Sequence, residues 1–473
     1  MSSSAVASTA RRPHPTGAVV VALGALGYVL VLHYIYATHI APDFAYLQYA
    51  YRSPDPLYYG LALVLVVVVA LTLPRRLTHP SHFIVWVLFL LLVAPLLTVS
   101  QYAPALDEGE AFELALWAAG CFLLIAVLGT RQPLRGFLPR IVVDRKTFWI
   151  GVLAVYALLS LYVVVSVGVN THLPSLDDVN GVRGEFRQET SADPALGYVG
   201  PLLVTVVNPL MMLRGLWERR WLWFAAGMIG QLYLYAAQGN KTALFSPFAL
   251  AAAFLLFRRP RPPSAATLTV AAPIWCVAMY VGDLLTATND FTSNMVRRLL
   301  VTPGLVTVGF VQVFDGIPKA HLGYSVLSPW FKYPYLLEPS DLVGVEFFGD
   351  PQTHANGSWL ADGYANFGYG GMLAASIVVV VLLWGIDDAA RGLPVGVAAL
   401  LFLMPALTLA ESAVLTAILT HGYFVAIVLC LLAPRDGWRQ RGVTVETAVE
   451  TGERQRRSRP VERKPLAVVA LEL

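Results

Sequence analysis

LPVGVAALLFLMPALTLAESAVLTAILTHGYFVAIVLCLLA, residues 393–433, carries one charged side chain, Glu411. As a single helix the stretch would be roughly 60 Å long, about twice the hydrocarbon thickness of a bilayer. It therefore reads as two crossings, 393–410 and 412–433, folded into a hairpin about the polar pair Glu411-Ser412.

Similar apolar runs precede it at 17–36, 58–73, 82–100, 112–129, 147–168, 197–213, 221–237, 242–257, 265–284 and 369–385. The 473-residue chain is 57% hydrophobic and 13% charged, whereas soluble domains carry about a quarter charged residues. A water-soluble fold of this composition lacks the polar surface to cover itself, so lipid is the expected solvent. Gly17–Tyr36 is long enough to span, and no clean small-residue cleavage site follows it, which predicts a retained crossing rather than a signal peptide.

Charge gives the orientation. Arg11 and Arg12, Arg75 and Arg76, the stretch 131–146, the stretch 214–220, the RRPRPP segment at 258–263, Arg391 and the tail after Pro434 alternate with loops poor in bases. Placing them in the cytoplasm satisfies the positive-inside rule at each turn. It puts 25 of the 33 Lys and Arg and 10 of the 30 Asp and Glu inside, leaving +15 on the inner face and −12 on the outer. The expected fold is all-α: a polytopic integral membrane protein of about 12 transmembrane helices, N-in and C-in. Residues 1–16 form a cytoplasmic tail, 17–433 the transmembrane domain, and 434–473 a disordered cytoplasmic tail. Outer loops cover 169–196 and, as the one large extracytoplasmic loop, 285–368. Within the latter, 296–314 holds Pro303, Gly304 and Gly309, and counting it as a crossing would put the basic tail outside. It is expected to be an interfacial or re-entrant helix.

The three cysteines, Cys121, Cys276 and Cys430, each fall in a different apolar run, too far apart for a metal-site pattern and best read as buried small hydrophobes.

The chemistry is sought among the outer charges. Arg183, Arg187, Lys241, Arg297 and Arg298 stay on a face that is otherwise acidic. Guanidinium is permanently charged and matches two oxygens of a phosphate, so these residues suit an anion at the membrane surface. Local pairing competes with that reading, since Arg183 and Arg187 share a loop with Asp177, Asp178, Glu185 and Glu189. Lys241 sits in the short turn Gln238-Gly239-Asn240-Lys241-Thr242, where it either snorkels or meets a lipid headgroup phosphate. Three groups are candidate proton acceptors. His354 precedes the glycine-rich stretch 357–371, Asp283 closes the ninth span, and Glu411 occupies the hairpin turn. Glycines at 357, 363, 368, 370 and 371 permit close helix packing or close approach of a ligand to backbone. Tyr324, Trp330, Phe331, Tyr333 and Tyr335 suit either sugar stacking or interfacial anchoring.

A multi-span chain with a large late outer loop, the basic turn at 238–242, and a His354/Asn356 stretch running into Asn366-Phe367-Gly368-Tyr369-Gly370-Gly371 resembles the O-antigen polymerases. These are the Wzy-type oligosaccharide repeat-unit polymerases within the wider polymerase and O-antigen ligase superfamily. One departure is local: Arg187 and Gly197 are one residue short of the Arg-x10-Gly spacing described for some polymerases. The resemblance implies an extracytoplasmic membrane glycosyltransferase in a bacterial cytoplasmic membrane. It would polymerise polyprenyl-diphosphate-linked oligosaccharide repeat units for cell-surface polysaccharide. Arg183 and Arg187 would be first-loop arginines, Arg297 and Arg298 second-loop arginines, Lys241 the basic turn residue and His354 the loop histidine. Flippase and chain-length regulator proteins are the implied protein partners, with no metal, cofactor or nucleic acid.

The expected reaction is inverting transfer, with the cations on the diphosphate and His354, Glu411 or Asp283 accepting the hydroxyl proton. Two alternatives stay open. One is an O-antigen-ligase-like or single-sugar transferase using a polyprenyl-phosphate donor. The other is a lipid-linked glycan flippase or transporter, which the lack of an internal repeat and of Lys or Arg within any span disfavours.

Overall fold

The computed structural model describes residues 15–133, 135–169, 173–175, 178–259 and 261–438. Residues 1–14 and 439–473, most of the two expected tails, lie outside the described residues, as does Asp177.

The apolar runs become helices because the backbone has no other way to satisfy its N–H and C=O groups in hydrocarbon. In chain order these are α1 (Gly17–Leu47), α2 (Pro56–Thr72), α3 (Pro80–Tyr102), α4 (Glu108–Gly129) and α5 (Arg145–Val167). The polar helix α6 (Val179–Ala192) follows, then α7 (Leu196–Glu218), α8 (Trp221–Gln238), α9 (Lys241–Phe257) and α10 (Ala265–Thr286). The chain continues through α11 (Thr292–Asp315), the short α12 (Pro339–Glu346) and α13 (Trp359–Ala389). It ends with α14 (Val395–Leu401), α15 (Leu403–Leu409), α16 (Val414–Leu419) and α17 (Tyr423–Leu432). Nine helices among the described residues are long and apolar enough to cross a membrane, counting α16 and α17 as one. Leu23, Leu158, Leu161 and Ile274 project exposed from them, apolar surface that water would penalise at about 25 cal/mol per Å². The chain is an all-α, multi-pass, membrane-embedded protein.

Five helices widen locally into π-turns, at Tyr36–Ile40, Phe89–Val93, Ile125–Gly129, Leu203–Val207 and Thr292–Val301. All but Ile125–Gly129 end two residues before a proline: Pro42, Pro95, Pro209 and Pro303. Proline has no N–H and crowds the carbonyl four residues earlier, and a wider turn relieves that crowding without ending the helix.

The loops gather into two faces. On one, the Asp387 carboxylate accepts from Ser81 N at 2.9 Å and Ser81 Oγ at 2.7 Å. The Asp388 carboxylate accepts from Gly136 N at 2.8 Å and Leu138 N at 2.7 Å. Arg435 Nη2 donates to Ala389 O, Ala265 N to Arg75 O and Leu77 N to Pro263 O. Arg145 and Arg214 pair with Glu218, and Arg214 is held between Trp149 and Trp223 at 4.0 and 3.7 Å. These are the base-rich segments, and they touch one another. The second face joins the remaining loops: Arg52 N to Tyr102 O, Asn289 Nδ2 to Asp43 at 2.7 Å, Tyr235 OH to Pro174 O at 2.8 Å, and Thr205 Oγ1 to His421 O at 3.0 Å.

α11 contains the segment expected at 296–314. Helical dihedrals at Val301 and Thr302 make it one continuous helix. Near its start Asn294 accepts from Lys241 and at its end Asp315 accepts from Tyr364, and at 24 residues it is one of the helices long and apolar enough to cross a membrane.

α13 is not straight. Phe367 (φ −148°, ψ 26°) and Gly368 (φ 62°, ψ −149°) leave the helical region, and Gly368 occupies dihedrals open essentially to glycine alone. Trp359 Nε1 donates to Ser376 Oγ at 3.3 Å. In a straight helix those residues would stand about 25 Å apart, so 359–366 folds back on 369–389. The crossing is glycine on glycine: a Cβ on Gly371 would lie 1.9 Å from Gly363 O, and one on Gly363 2.6 Å from Gly371 O. Of the two roles that the glycines suggest, close helix packing is the one realised here.

Candidate functional site: a ring of cations on the second face

The site begins at the turn between α8 and α9. Gly239 closes α8 in the left-handed region, φ +59°, and a Cβ there would meet Val179 O at 2.7 Å and Arg183 Cγ at 3.1 Å. Glycine is thus required twice, for the dihedral and for the approach of α6. Asn240 then opens α9, its side chain accepting from Thr242 N at 2.9 Å. Lys241 follows as the first helical residue. A cation at a helix N-terminus opposes the helix dipole, and the placement becomes favourable once an anion shares it.

Arg183 on α6 donates from Nε to Gly239 O at 2.9 Å. Lys241 Nζ donates to Asn294 Oδ1 on α11, also at 2.9 Å. Asn294 and Arg298 are four residues apart and so share one face of that helix. Arg298 and Arg183 both act electrostatically on Glu411 at the α15–α16 turn. The ring is held by two hydrogen bonds, Arg183 to Gly239 and Lys241 to Asn294, and Arg298 and Arg183 bear on Glu411 by charge alone, neither pairing with it within 4.0 Å. Glu411 is open to solvent yet set deep enough among protein atoms that desolvation pushes its carboxyl up, against the opposing pull of the two arginines. Among the described residues no three His, Cys, Asp or Glu gather closely enough to hold a metal ion, and what the ring offers a ligand is cations and amides.

The other expected site residues lie elsewhere. Arg297 turns away from Arg298 onto the rings of Phe44 and Tyr49. The two arginines are consecutive on α11 and leave it in different directions. His354 pairs through Nδ1 with Asp341 of α12, and the backbone beside it is fixed by Ala355 N on Ser340 O. Asp283 is buried and accepts from Phe291 N at 2.9 Å and Thr292 N at 2.7 Å, with His39 Nε2 at 3.6 Å; it holds the start of α11. The side chain of Arg187 lies outside the described residues. Of the aromatics, Tyr333 and Tyr335 bond inward to Leu337 O and Pro318 O, while Trp330 is 74% exposed. Asn294 is the member that the sequence reading missed. Its signal was available in the four-residue spacing to Arg298.

No family model, no curated protein and no solved structure matches the chain.

Proposed function

We propose that the chain is a membrane glycosyltransferase that polymerises polyprenyl-diphosphate-linked oligosaccharide repeat units at the extracytoplasmic face of a bacterial cytoplasmic membrane. The observation that carries this reading is the bonding of Arg183 to the Gly239–Lys241 turn and of Lys241 to Asn294 on the helix of Arg298, with Arg183 and Arg298 both acting on Glu411 by charge. Three cations brought together in this way suit a diphosphate, and a carboxylate with a raised pKa suits a proton acceptor. The acceptor sugar hydroxyl attacks the anomeric carbon, the bond from that carbon to the diphosphate oxygen breaks with inversion, and the diphosphate leaves with the electron pair. The hydroxyl proton passes to Glu411. Arg183, Lys241 and Arg298 stabilise the charge growing on the leaving diphosphate. In this reading Glu411 takes the role also considered for His354 and Asp283.

The accompanying topology has twelve crossings with both termini inside. It is supported by the mutual contact of the base-rich loops on one face, which the positive-inside rule makes cytoplasmic.

The test is purified protein in liposomes supplied with a lipid-linked repeat unit. A ladder of glycan lengths is expected. A single transferred product would replace polymerisation with ligase-type or single-sugar transfer. Lipid that changes leaflet with no new glycosidic bond would mean a flippase. Intact lipid with neither outcome sinks the proposal.

A further inference from the structure

Arg297 is left unexplained by the ring. Its side chain is nine-tenths buried, with 9% exposure. The guanidinium carbon lies 4.1 Å from the centre of the Phe44 ring and 5.2 Å from that of Tyr49. Nη2 donates to Ser293 Oγ at 2.8 Å, whereas the buried Nε has no hydrogen-bond partner. Besides burial, the groups acting on its charge are Tyr49, by charge and by side-chain hydrogen bonding, the like charge of Arg298, and Tyr46. No carboxylate among the described residues pairs with it within 4.0 Å. A buried cation without an anion is strongly unfavourable, and such a charge calls for a partner.

We infer that Arg297 anchors a second anion site, separate from the ring, that takes the phosphate of a membrane lipid. Phe44 and Tyr49 fix the plane of the guanidinium, and its donor edge matches two phosphate oxygens. Ala45 and Tyr46, next to Phe44 at the end of the apolar helix α1, are both exposed. An amphipathic ligand meets both requirements there, with headgroup on the arginine and chains along the helix. The inference stands apart from glycan transfer, because Arg297 and Arg298 serve different faces of α11.

The experiment is native mass spectrometry of the full chain in neutral detergent, titrated separately with dioleoyl phosphatidic acid, dioleoylglycerol and inorganic phosphate. Wild type is expected to retain one tightly bound phosphatidic acid and no dioleoylglycerol. Arg298→Gln is expected to keep that lipid and Arg297→Met to lose it, with at least tenfold weaker binding. Methionine preserves the packing against Phe44 and removes the buried charge, so thermal unfolding of the free variant should be no lower than wild type. If it fails to fold, Arg297→Gln takes its place with the same readout. Undiminished binding in the Arg297 variant would overturn the site. Displacement of the lipid by equimolar inorganic phosphate would overturn its assignment to a lipid.

Discussion

The Lys241 ammonium lies 2.9 Å from the side-chain oxygen of Asn294, and this bond fastens the start of α9 to the face of α11 that carries Arg298. Lys241→Met should cut turnover in the liposome assay by about a hundredfold or more, the usual cost of one donor to a developing anion. Lys241→Arg should retain most activity. Asn294→Ala, which removes this bond and keeps the ammonium, should lower kcat by about tenfold with little change in KM. Equal losses in Lys241→Met and Lys241→Arg would argue that the residue serves packing alone.

Glu411 sets a pH dependence. Burial raises its carboxyl pKa more than Arg298 and Arg183 lower it. The carboxylate is the working form, so activity should fall as pH drops through a pKa above the ordinary glutamate range. A folded-state pKa above the unfolded one means that the protonated form favours folding, and this contribution is lost as pH rises through the folded pKa. Glu411→Gln should therefore abolish transfer yet melt at or above the wild-type temperature at neutral pH. A Glu411→Gln enzyme that keeps the wild-type pH profile would remove Glu411 from the mechanism.

The reversal of α13 depends on two glycines in contact. Gly371→Ala would place a methyl 1.9 Å from Gly363 O, and Gly368→Ala would force alanine to φ +62°, ψ −149°. Each should destabilise by about 2–4 kcal/mol, read as lost thermal stability in detergent. Gly370→Ala, at a position with nothing within 4 Å, should be near neutral. If all three behave alike, the fold-back is not what the glycines serve.

Arg214 is the clasp of the base-rich face. It stacks between Trp149 and Trp223 and pairs with Glu218, which also pairs with Arg145 and Arg220. Arg214→Ala removes both aromatic contacts and one cation from a largely buried carboxylate, an expected loss of about 2–4 kcal/mol. Arg220→Ala, whose side chain is 59% exposed, should change stability by less than about 1 kcal/mol.

The three native cysteines are buried, so introduced ones report topology directly. Ser328→Cys and Arg259→Cys occupy exposed positions in loops of opposite charge character. A membrane-impermeant maleimide should label Ser328→Cys in intact cells, and Arg259→Cys only after permeabilisation. The reverse pattern would invert the orientation.

Hydrophobic run length and loop charge are local properties, and from them the sequence by itself determined the all-helical, multi-pass character, the grouping of the base-rich loops and the turn at Glu411. Bilayer thickness and backbone hydrogen bonding act on each segment without reference to its neighbours. Only the tertiary structure decided which polar side chains meet. Arg183 reaches Gly239, Lys241 reaches Asn294, His354 is taken by Asp341, and Asp283 is spent on the start of α11. Each of those pairings follows from how helices distant in sequence pack, and a glycine contact such as Gly363 on Gly371 sets that packing to within the width of a methyl group.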